Sequence, residues 1–356
     1  MTTYRIGVVE CDGIGPEIVR ATLRVLEAAT QEGPTLELVH LPAGLAAIRR
    51  DGHALPQATI DGLSRCHGWI MGPHDSLSYP EEARLERNPS GELRRRFDLY
   101  ANIRPARTYP GVPSLAGSAD MVVVRENTEG FYADRNMFQG SGEYMPTPDL
   151  ALTVGVFTRT GARRIADAAF RLARSRRRQV AIVHKQNVFR LAYGLFLEEC
   201  HAVAANYPDV KAEDYIVDAM TAHLLRRPGH FDVILTTNMF GDILSDMTAE
   251  LTGSLGMAGS INAGDRHAMA QAAHGSAPDI AGQGIANPSG MILSTALLMR
   301  WLADRHEDPL ARRAGERMEA AVASALEAGV RTRDLGGSAG TVDFTAAVAE
   351  RAGRAS

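Results

Sequence analysis

The stretch YRIGVVECDGIGPEIV, Tyr4–Val19, decides which α/β fold this chain can adopt. An apolar, β-branched segment leads into a glycine-rich turn, and a helical pattern follows. A dinucleotide-binding turn needs the pattern G-x-G-x-x-G. Gly13 and Gly15 supply its first half, but Ile18 occupies the third glycine position. Glu17 would also repel a pyrophosphate from the helix N-terminus. These residues exclude a Rossmann loop and leave a tight strand-to-helix turn.

Strand-like and helix-like segments alternate along the rest of the chain. The β-branched runs DMVVVREN, QVAIVHK, DYIVDAM and FDVILTT are each followed by a helical pattern or a turn. This alternation is typical of an α/β fold, in which helices cover buried strands. Residues 133–157 break the rhythm with turn residues and then an alternating segment. They predict a protruding hairpin or arm.

Composition limits the classes of protein to consider. At 356 residues the chain is too long for one ordinary core, which favours two lobes. A net charge of −4 gives no electrostatic reason to expect nucleic acid or a membrane surface as a partner. Cys11, Cys66 and Cys200 form no CxxC pair, and their odd number fits a reducing compartment. We therefore expect a cytoplasmic protein without disulfides.

The segment TTNMFGDILSDMTAELTG, Thr236–Gly253, carries Asp242 and Asp246 four positions apart on a predicted helix. Their carboxylates share one helix face and repel each other unless a cation lies between them. A hard divalent ion such as Mg²⁺ or Mn²⁺ suits such oxygen ligands. The alternative is an acidic helix start, favoured by the helix dipole. A third acid, Asp218, ends the predicted strand DYIVDAM.

Several cationic groups and one phenol lie near predicted strand ends. Arg94 and Arg104 flank a helix-to-strand junction, Arg125 lies on a strand, and Tyr132 follows it. Arginine forks bind carboxylates in a bidentate manner. Lys185 ends the strand VAIVHK, just before a predicted helix start, and a lysine beside a metal-bound substrate can act as a base. Each residue alone can equally be an ordinary surface or core-edge residue.

The segment Ala272–Gly290, AAHGSAPDIAGQGIANPSG, is rich in glycine, serine, proline and asparagine. Backbone N–H groups in such a loop can bind phosphate oxygens. Asp279 can accept ribose hydroxyl groups and would repel a 2′-phosphate, which favours NAD. A long surface turn, with Asp279 as a helix cap, is an equally good interpretation of this segment alone.

Taken in order, these motifs resemble the β-decarboxylating dehydrogenases: isocitrate, isopropylmalate, homoisocitrate and tartrate/D-malate dehydrogenases. The resemblance runs from about Ile6 to Phe344 and rests on DGIGPE, RRRFDLYANIRPAR, VVVRENTEGFY, HKQNV, VDAM, TTNMFGDILSD, HGSAPDIAGQGIANP and TRDLGGSAGT. It implies the two-lobed isocitrate/isopropylmalate dehydrogenase-like α/β fold, which is not a Rossmann fold. Residues 1–99 plus 252–356 would form the larger, nucleotide-binding lobe. Residues 100–251 would form the smaller lobe, with residues 133–157 as an arm for dimerisation.

The resemblance also implies a role for each site residue in NAD-dependent oxidative decarboxylation of a (2R)-malate derivative. The substrate carboxylates would be held by Arg94, Arg104 and Arg125. Mg²⁺ or Mn²⁺ would be bound by Asp242 and Asp246 of one subunit together with Asp218 of the partner subunit. Lys185 of the partner subunit would accept the hydroxyl proton, and Tyr132 would protonate the enolate after CO₂ leaves. The NAD site would comprise Ile14, His274, Gly275, Ser276, Ala277, Asp279 and Asn287. An obligate homodimer with shared sites follows.

The identity of the substrate depends on the turn ERNPSGELR, which precedes Arg94 and would meet the C3 substituent. Isopropylmalate enzymes use leucines there, whereas this chain has Asn88 and Ser90, and Arg84 and Arg87 could add positive charge. A polar or anionic substituent, as in isocitrate or homoisocitrate, is therefore expected. 3-Isopropylmalate and D-malate or tartrate remain alternatives, as do a catalytically silent regulatory subunit of the same family and a metal-dependent hydrolase.

Overall fold

The computed structural model describes residues 2–84, 88–132 and 142–354. The chain divides into two compact units: Met1–Leu93, Tyr109–Ser114 and Gly253–Ser356 form the first, and Arg94–Thr108 and Leu115–Thr252 form the second. The division precedes Arg94, earlier than the expected boundary after residue 99. The short segment from Tyr109 to Ser114 returns to the first unit because the Gly111 carbonyl accepts a hydrogen bond from Arg331 there.

The first unit contains five strands in the order β2-β1-β3-β12-β11. All adjacent pairs are parallel except β11 with β12. The strands are β1 (Thr3–Val9), β2 (Thr35–His40), β3 (Gly68–Met71), β11 (Ile261–Ala263) and β12 (Ala268–Ala270). The helices are α1 (Gly15–Ala29), α2 (Leu45–Asp51), α3 (Gln57–Leu63), α4 (Glu81–Arg84), α5 (Pro89–Arg96, which crosses the boundary), α10 (Ser289–His306), α11 (Pro309–Glu327) and α12 (Thr341–Gly353).

Among the described residues of the second unit, five strands pair in the order β4-β5-β10-β8-β9, and they are parallel except for β4 with β5. These strands are β4 (Ala101–Arg107), β5 (Asp120–Glu126), β8 (Gln179–His184), β9 (Lys211–Ile216) and β10 (Val233–Thr236). The helices are α6 (Arg159–Arg174), α7 (Ala192–Ala204), α8 (Val217–Arg226) and α9 (Asn238–Thr252). The expected α/β architecture is confirmed.

Successive residues of β5 point to opposite faces of the second unit's sheet, as the two-residue strand period requires. Val122 and Val124 pack into a core with residues of α6 and α7. Met121 and Val123 pack on the other face with residues of α8 and α9. Arg125 continues this second series, so its side chain leaves the sheet toward α9.

The predicted hairpin corresponds to strands β6 (Glu143–Thr147) and β7 (Leu150–Thr153), which pair antiparallel. Gly130 and Val156 form a further bridge at its base. Residues 133–141 of the expected arm lie outside the described residues. Tyr144 and Met145 are exposed in the single chain.

No helix in the described part of the chain combines the length and apolarity needed to cross a membrane.

Two details differ from the sequence-based expectations. The helix expected at Gln186 begins only at α7, because residues 186–190 form turns in which the Lys185 carbonyl accepts from Phe189. Val188, Phe189 and Leu191 are exposed in the single chain. Asp218 does not end a strand: β9 stops at Ile216, and Asp218 lies in the first turn of α8.

The opening turn after β1 is a buried hydrogen-bonded junction. The carboxylate of Asp12 accepts from the backbone N–H of Leu45 at 2.7 Å and from the hydroxyl of Tyr79 at 2.7 Å. Gly13 adopts φ +57°, and a Cβ there would lie 2.0 Å from the carbonyl oxygen of Ser276. The N–H of Ile14 donates to that same carbonyl at 2.8 Å. This turn therefore supports the loop that follows β12.

Replacing Gly13 with alanine should destabilise the chain by about 3 kcal/mol, because left-handed strain and a backbone collision add together. Gly52→Ala is the matched control, since Gly52 has φ +78° but nothing within 4 Å of its ideal Cβ. The control should cost about 1 kcal/mol from strain alone. Urea unfolding followed by tryptophan fluorescence measures both. Equal losses for the two variants would contradict this account of the turn.

Candidate active site

Two arginines from neighbouring strands share one face of the second unit. In the antiparallel β4–β5 pair, Asn102 lies opposite Arg125, and Arg104 lies two residues along the same face. Both arginines are buried, at 7% exposure for Arg104 and 1% for Arg125. A buried guanidinium group needs acceptors to offset its desolvation. Arg104 Nε therefore donates to Asn102 Oδ1 at 2.6 Å, and Arg104 Nη1 donates to Ser245 Oγ at 2.8 Å.

The carboxylates of α9 face these guanidinium groups. Asp242 Oδ1 contacts Arg125 Nη1 and lies 3.4 Å from Arg104 Nη2. Asp246 Oδ1 lies 3.4 Å from Arg104 Nη1. The phenol of Tyr132 donates to Asp242 Oδ2 at 3.2 Å. The structure thus brings five of the predicted site residues into one charged cluster within the second unit: Arg104, Arg125, Tyr132, Asp242 and Asp246.

Burial and neighbouring charges shift the pKa values of three groups in this cluster, namely Arg104, Asp242 and Asp246. Burial and the neighbouring charge of Arg125 lower the pKa of Arg104 to about 10. Burial would raise the pKa of Asp242, but the charges of Arg125, Arg104 and Arg94 outweigh it and lower that pKa. For Asp246 burial prevails over Arg104, and its pKa is raised. The cluster therefore favours further anions at the arginines and a cation between the aspartates.

Lys185 and Asp218 form a separate ion pair. Lys185 Nζ donates to Asp218 Oδ1, and this contact lowers the pKa of Asp218. The Asp218 side chain is 69% exposed. Within the described residues of one chain, no group of three or more histidine, cysteine, aspartate or glutamate side chains is placed to hold a metal ion. Asp242, Asp246 and Asp218 therefore do not form a three-carboxylate site in a single chain.

A cavity of about 430 Å³ lies in the first unit. Of the expected NAD residues, Ile14, His274, Gly275, Ala277 and Asn287 line it, whereas Ser276 and Asp279 do not. Ser276 is buried, and its carbonyl is bound by the opening turn. Asp279 is exposed. The cavity is also lined by residues to which the sequence assigned no role: Ser254, Leu255, Gly256, Ile280, Ile285, Arg333 and Asp334.

His274 presents an unpartnered nitrogen to this cavity. Its Nδ1 lies 3.0 Å from the Gly275 carbonyl, which can only accept, so Nδ1 carries the proton. Nε2 is buried and has no hydrogen-bond partner among the described residues. Burial lowers the pKa of His274, which keeps the ring neutral. The Nε2 lone pair is therefore available to a donor such as an exocyclic amine.

Asp334 organises one wall of the cavity. Its Oδ2 accepts from Asn287 Nδ2 and from Ser254 Oγ, both at 2.9 Å, and its Oδ1 accepts from Thr332 Oγ1. The Asn287 Oδ1 accepts from Ser289 N–H at 2.9 Å, so the Asn287 side chain is held at both ends. The only sequence signal for Asp334 was its place in the motif TRDLGGSAGT.

The turn before Arg94 is a polar network in the first unit. The Asn88 side chain caps α5 by accepting from Gly91 N–H at 2.8 Å, as expected for an Asn-Pro helix start. Ser90 is buried, and its Oγ lies 3.2 Å from Asn88 Oδ1 and 2.8 Å from His74 Nε2. The sequence had not singled out His74. Arg87 and the side chain of Arg84 lie outside the described residues.

Comparison with known proteins identifies the chain. The family model for isocitrate/isopropylmalate dehydrogenase matches residues 5–348. The chain belongs to this family. It is 43% identical over 348 residues to an isocitrate/homoisocitrate dehydrogenase of Thermus thermophilus, covering 98% of both chains. It is 40% identical over 350 residues to a 3-isopropylmalate dehydrogenase of Methanothermobacter thermautotrophicus, again covering 98% of both.

Solved structures agree. The crystal structure of isocitrate dehydrogenase from Methylococcus capsulatus matches with a TM-score of 0.88 at 37% identity, over 99% of this chain and all of the other. The expected isocitrate/isopropylmalate dehydrogenase-like fold is confirmed. The chain is a decarboxylating dehydrogenase acting on a hydroxy acid, and the family acts on small dicarboxylate or tricarboxylate substrates.

Glu129 is a buried acid of the second unit and lies three residues before Tyr132 in the chain. Its carboxylate accepts from Thr158 N–H at 3.1 Å and from Thr158 Oγ1 at 2.8 Å, which ties the segment before Tyr132 to the start of α6. Burial and the nearby charge of Glu126 raise the pKa of Glu129 to about 7. The hydrogen bonds from Thr158 oppose this shift only in part.

Because the folded-state pKa of Glu129 lies above its ordinary value of 4.5, its contribution to stability is complete below pH 4.5 and is lost as pH rises through 7. Glu129→Gln should remove this pH dependence, which amounts to about 3 kcal/mol. Urea unfolding at pH 5 and pH 8 tests the prediction. Glu37→Gln, at a side chain that is 54% exposed, is the control and should leave the slope unchanged. An unchanged slope in Glu129→Gln would refute the assignment.

Proposed function

We propose that the chain catalyses NAD-dependent, Mg²⁺- or Mn²⁺-dependent oxidative decarboxylation of a (2R)-malate derivative with a polar or anionic C3 substituent. The observation that carries this proposal is the buried Arg104–Arg125 pair facing the carboxylates of Asp242 and Asp246. Cationic forks and hard oxygen ligands within one cluster suit a substrate that carries several carboxylates and is held on a divalent ion.

The carboxylates of Asp242 and Asp246 suit a divalent metal ion, provided that a further ligand completes the site. Asp242 and Asp246 lie one turn apart on α9 and supply two carboxylates, which is too few for a site without further ligands. Asp218 is exposed and lies elsewhere in the same chain, so Asp218 of the partner subunit is the natural third ligand. The proposed metal site therefore requires the proposed homodimer.

The first unit's cavity supports NAD as cofactor. The free Nε2 of His274 can accept a hydrogen bond from an adenine amine, and Asn287 is held beside it by Asp334. The exposed carboxylate of Asp279 is positioned two residues beyond Ala277 in the lining loop and would disfavour a 2′-phosphate by charge repulsion. Adenine recognition by His274 is supported by its buried Nε2, which has no hydrogen-bond partner among the described residues.

Different residues of the chain bind the substrate, accept a proton and donate a proton in the proposed reaction. Arg94, Arg104 and Arg125 hold and orient the substrate carboxylates. Lys185 of the partner subunit would accept the proton of the C2 hydroxyl, and NAD⁺, when bound, would supply the hydride acceptor for this oxidation. Tyr132 donates a proton to the carbon that loses CO₂. When bound, the divalent ion supplies Lewis acidity that stabilises the negative charge left by decarboxylation.

The polar C3 preference rests on the turn before Arg94. Asn88, Ser90 and His74 bond to one another there, so an isopropyl group would meet polar atoms rather than leucine side chains. Relatives named for isocitrate/homoisocitrate and for 3-isopropylmalate lie at similar identity to this chain, so sequence identity does not decide between these substrates. 3-Isopropylmalate and D-malate or tartrate are the rival substrates.

NADH formation, followed by absorbance with NAD⁺ and Mn²⁺, tests the substrate class. Isocitrate or homoisocitrate should exceed 3-isopropylmalate by about 10- to 100-fold in kcat/KM, because burying polar groups against an apolar arm is costly. Chelation with EDTA should abolish turnover, and Mn²⁺ should restore it. A preference for 3-isopropylmalate would overturn the polar C3 assignment alone. Absence of NADH with every substrate would overturn the proposed reaction.

Mixing subunits tests the shared site. Asp246→Asn and Lys185→Met homodimers should each be inactive. Mixed dimers would contain one site with all wild-type groups, so an equal mixture should recover about a quarter of wild-type activity. If each chain formed its own complete site, the mixture would stay inactive. Asp246→Asn mixed with Asp242→Asn is the matched control and should show no recovery, because both changes remove ligands from the same chain's α9.

A further inference from the structure

Asn238 begins α9 in the motif TTNMFGDILSD and is fully buried. The proposed function uses Asp242 and Asp246 of that motif and leaves Asn238 without a role. Its side chain nevertheless contacts two of the elements that carry the chemistry. The contacts all lie within the second unit.

The amide oxygen of Asn238 fixes one edge of Arg125. Arg125 Nε donates to Asn238 Oδ1 at 3.0 Å, and Arg125 Nη2 donates to the same oxygen at 2.6 Å. Two donors on one acceptor set the plane of the guanidinium group. The remaining Nη1 contacts Asp242, one helical turn later. The first turn of α9 therefore holds Arg125 on both edges and directs Nη1 toward the carboxylate cluster.

The neutrality of this acceptor matters. An amide oxygen satisfies the buried Nε–H and Nη2–H groups without cancelling the positive charge of Arg125. A carboxylate at the same place would neutralise that charge and weaken the attraction for a substrate carboxylate. Arg104 is held in the same manner, by the neutral oxygens of Asn102 and Ser245.

The amide nitrogen of Asn238 holds the segment that leads to Tyr132. Asn238 Nδ2 donates to the Glu129 carbonyl at 3.0 Å. Gly130 follows with φ +83°, and a Cβ there would lie 3.4 Å from Asn238 Cβ. Gly130 also exchanges two backbone hydrogen bonds with Val156, at 2.7 and 2.9 Å. Tyr132 leaves this anchored segment and reaches Asp242.

We propose that Asn238 is a positioning residue that sets both the guanidinium group of Arg125 and the hydroxyl group of Tyr132. One side chain thereby couples carboxylate binding to proton delivery. The inference rests on the proposed function, in which Arg125 holds a substrate carboxylate and Tyr132 is the proton donor.

Asn238→Asp tests the proposal, because it keeps the size and the acceptor oxygen but adds a negative charge and removes the amide donor. The KM for the preferred malate derivative should rise about 10- to 100-fold, the usual effect of disturbing a hydrogen bond to a charged group. The KM for NAD should stay unchanged. The limb of the pH profile of kcat that reports the proton donor should also shift, since the Tyr132 segment is released.

Asn238→Ser separates the loss of the contacts from the added negative charge, because serine is neutral but too short to reach Arg125 and the Glu129 carbonyl. It should leave the charge of Arg125 intact, so its substrate KM should rise less than that of Asn238→Asp. Its kcat should fall by about the same factor as the kcat of Asn238→Asp. Equal KM values in the two variants would overturn the argument from neutrality.

Asn262→Asp is the matched control for stability. Asn262 is fully buried in β11 of the first unit and donates to the Met269 carbonyl at 3.3 Å. This variant should lower the melting temperature without raising the substrate KM. If Asn238→Asp, assayed while folded, keeps the wild-type KM and pH profile, the inference is wrong and the proposed function stands. A wild-type protein that oxidises none of the malate derivatives would overturn the proposed function itself.

Discussion

Two guanidinium groups buried on one sheet face, those of Arg104 and Arg125, are the constraint that organises the second unit. Like charges in a poorly polarisable interior repel, and each loses several kcal/mol of hydration. Neutral oxygens from Asn102, Ser245 and Asn238 satisfy part of each group, and Asp242 supplies a nearby negative charge. The arrangement retains positive charge for a further anion, which is what binding of a carboxylate substrate requires.

The cavity of the first unit is lined by neutral side chains together with Arg333 and Asp334. It presents a neutral imidazole at His274 and an asparagine held by Asp334. The glycine turn at the start of the chain supports this cavity from beneath, since Gly13 and Ile14 close against the Ser276 carbonyl. Glu17 bonds to Thr341 and to Ala286 N–H, so the acid that disqualified a Rossmann loop has a structural role.

The pairing of Lys185 with Asp218 bears on assembly. Within one chain these groups pair with each other, and no third acid among the described residues is placed with Asp242 and Asp246 to hold a metal ion. In the proposed function Lys185 is the base and Asp218 a metal ligand, and because the two lie side by side they would be delivered together to the site of a second copy. The pair of Lys185 and Asp218 thus supplies the proposed base and the proposed third metal ligand without any change of fold.

The α/β alternation, the family, the cap at Asn88 and the helix that carries Asp242 and Asp246 could be predicted from the sequence, because they depend on local periodicity and short motifs. The sequence-based prediction placed the start of α7 too early and put Asp218 on a strand, since apolar runs alone do not mark where a helix begins. Two contacts could be seen only in the folded chain: Asn238 holds Arg125, and Asp334 holds Asn287. These partners are distant in the chain. Strand order and register bring Arg125 to the start of α9, and the packing of two loops brings Asp334 to Asn287, and no local pattern encodes either arrangement.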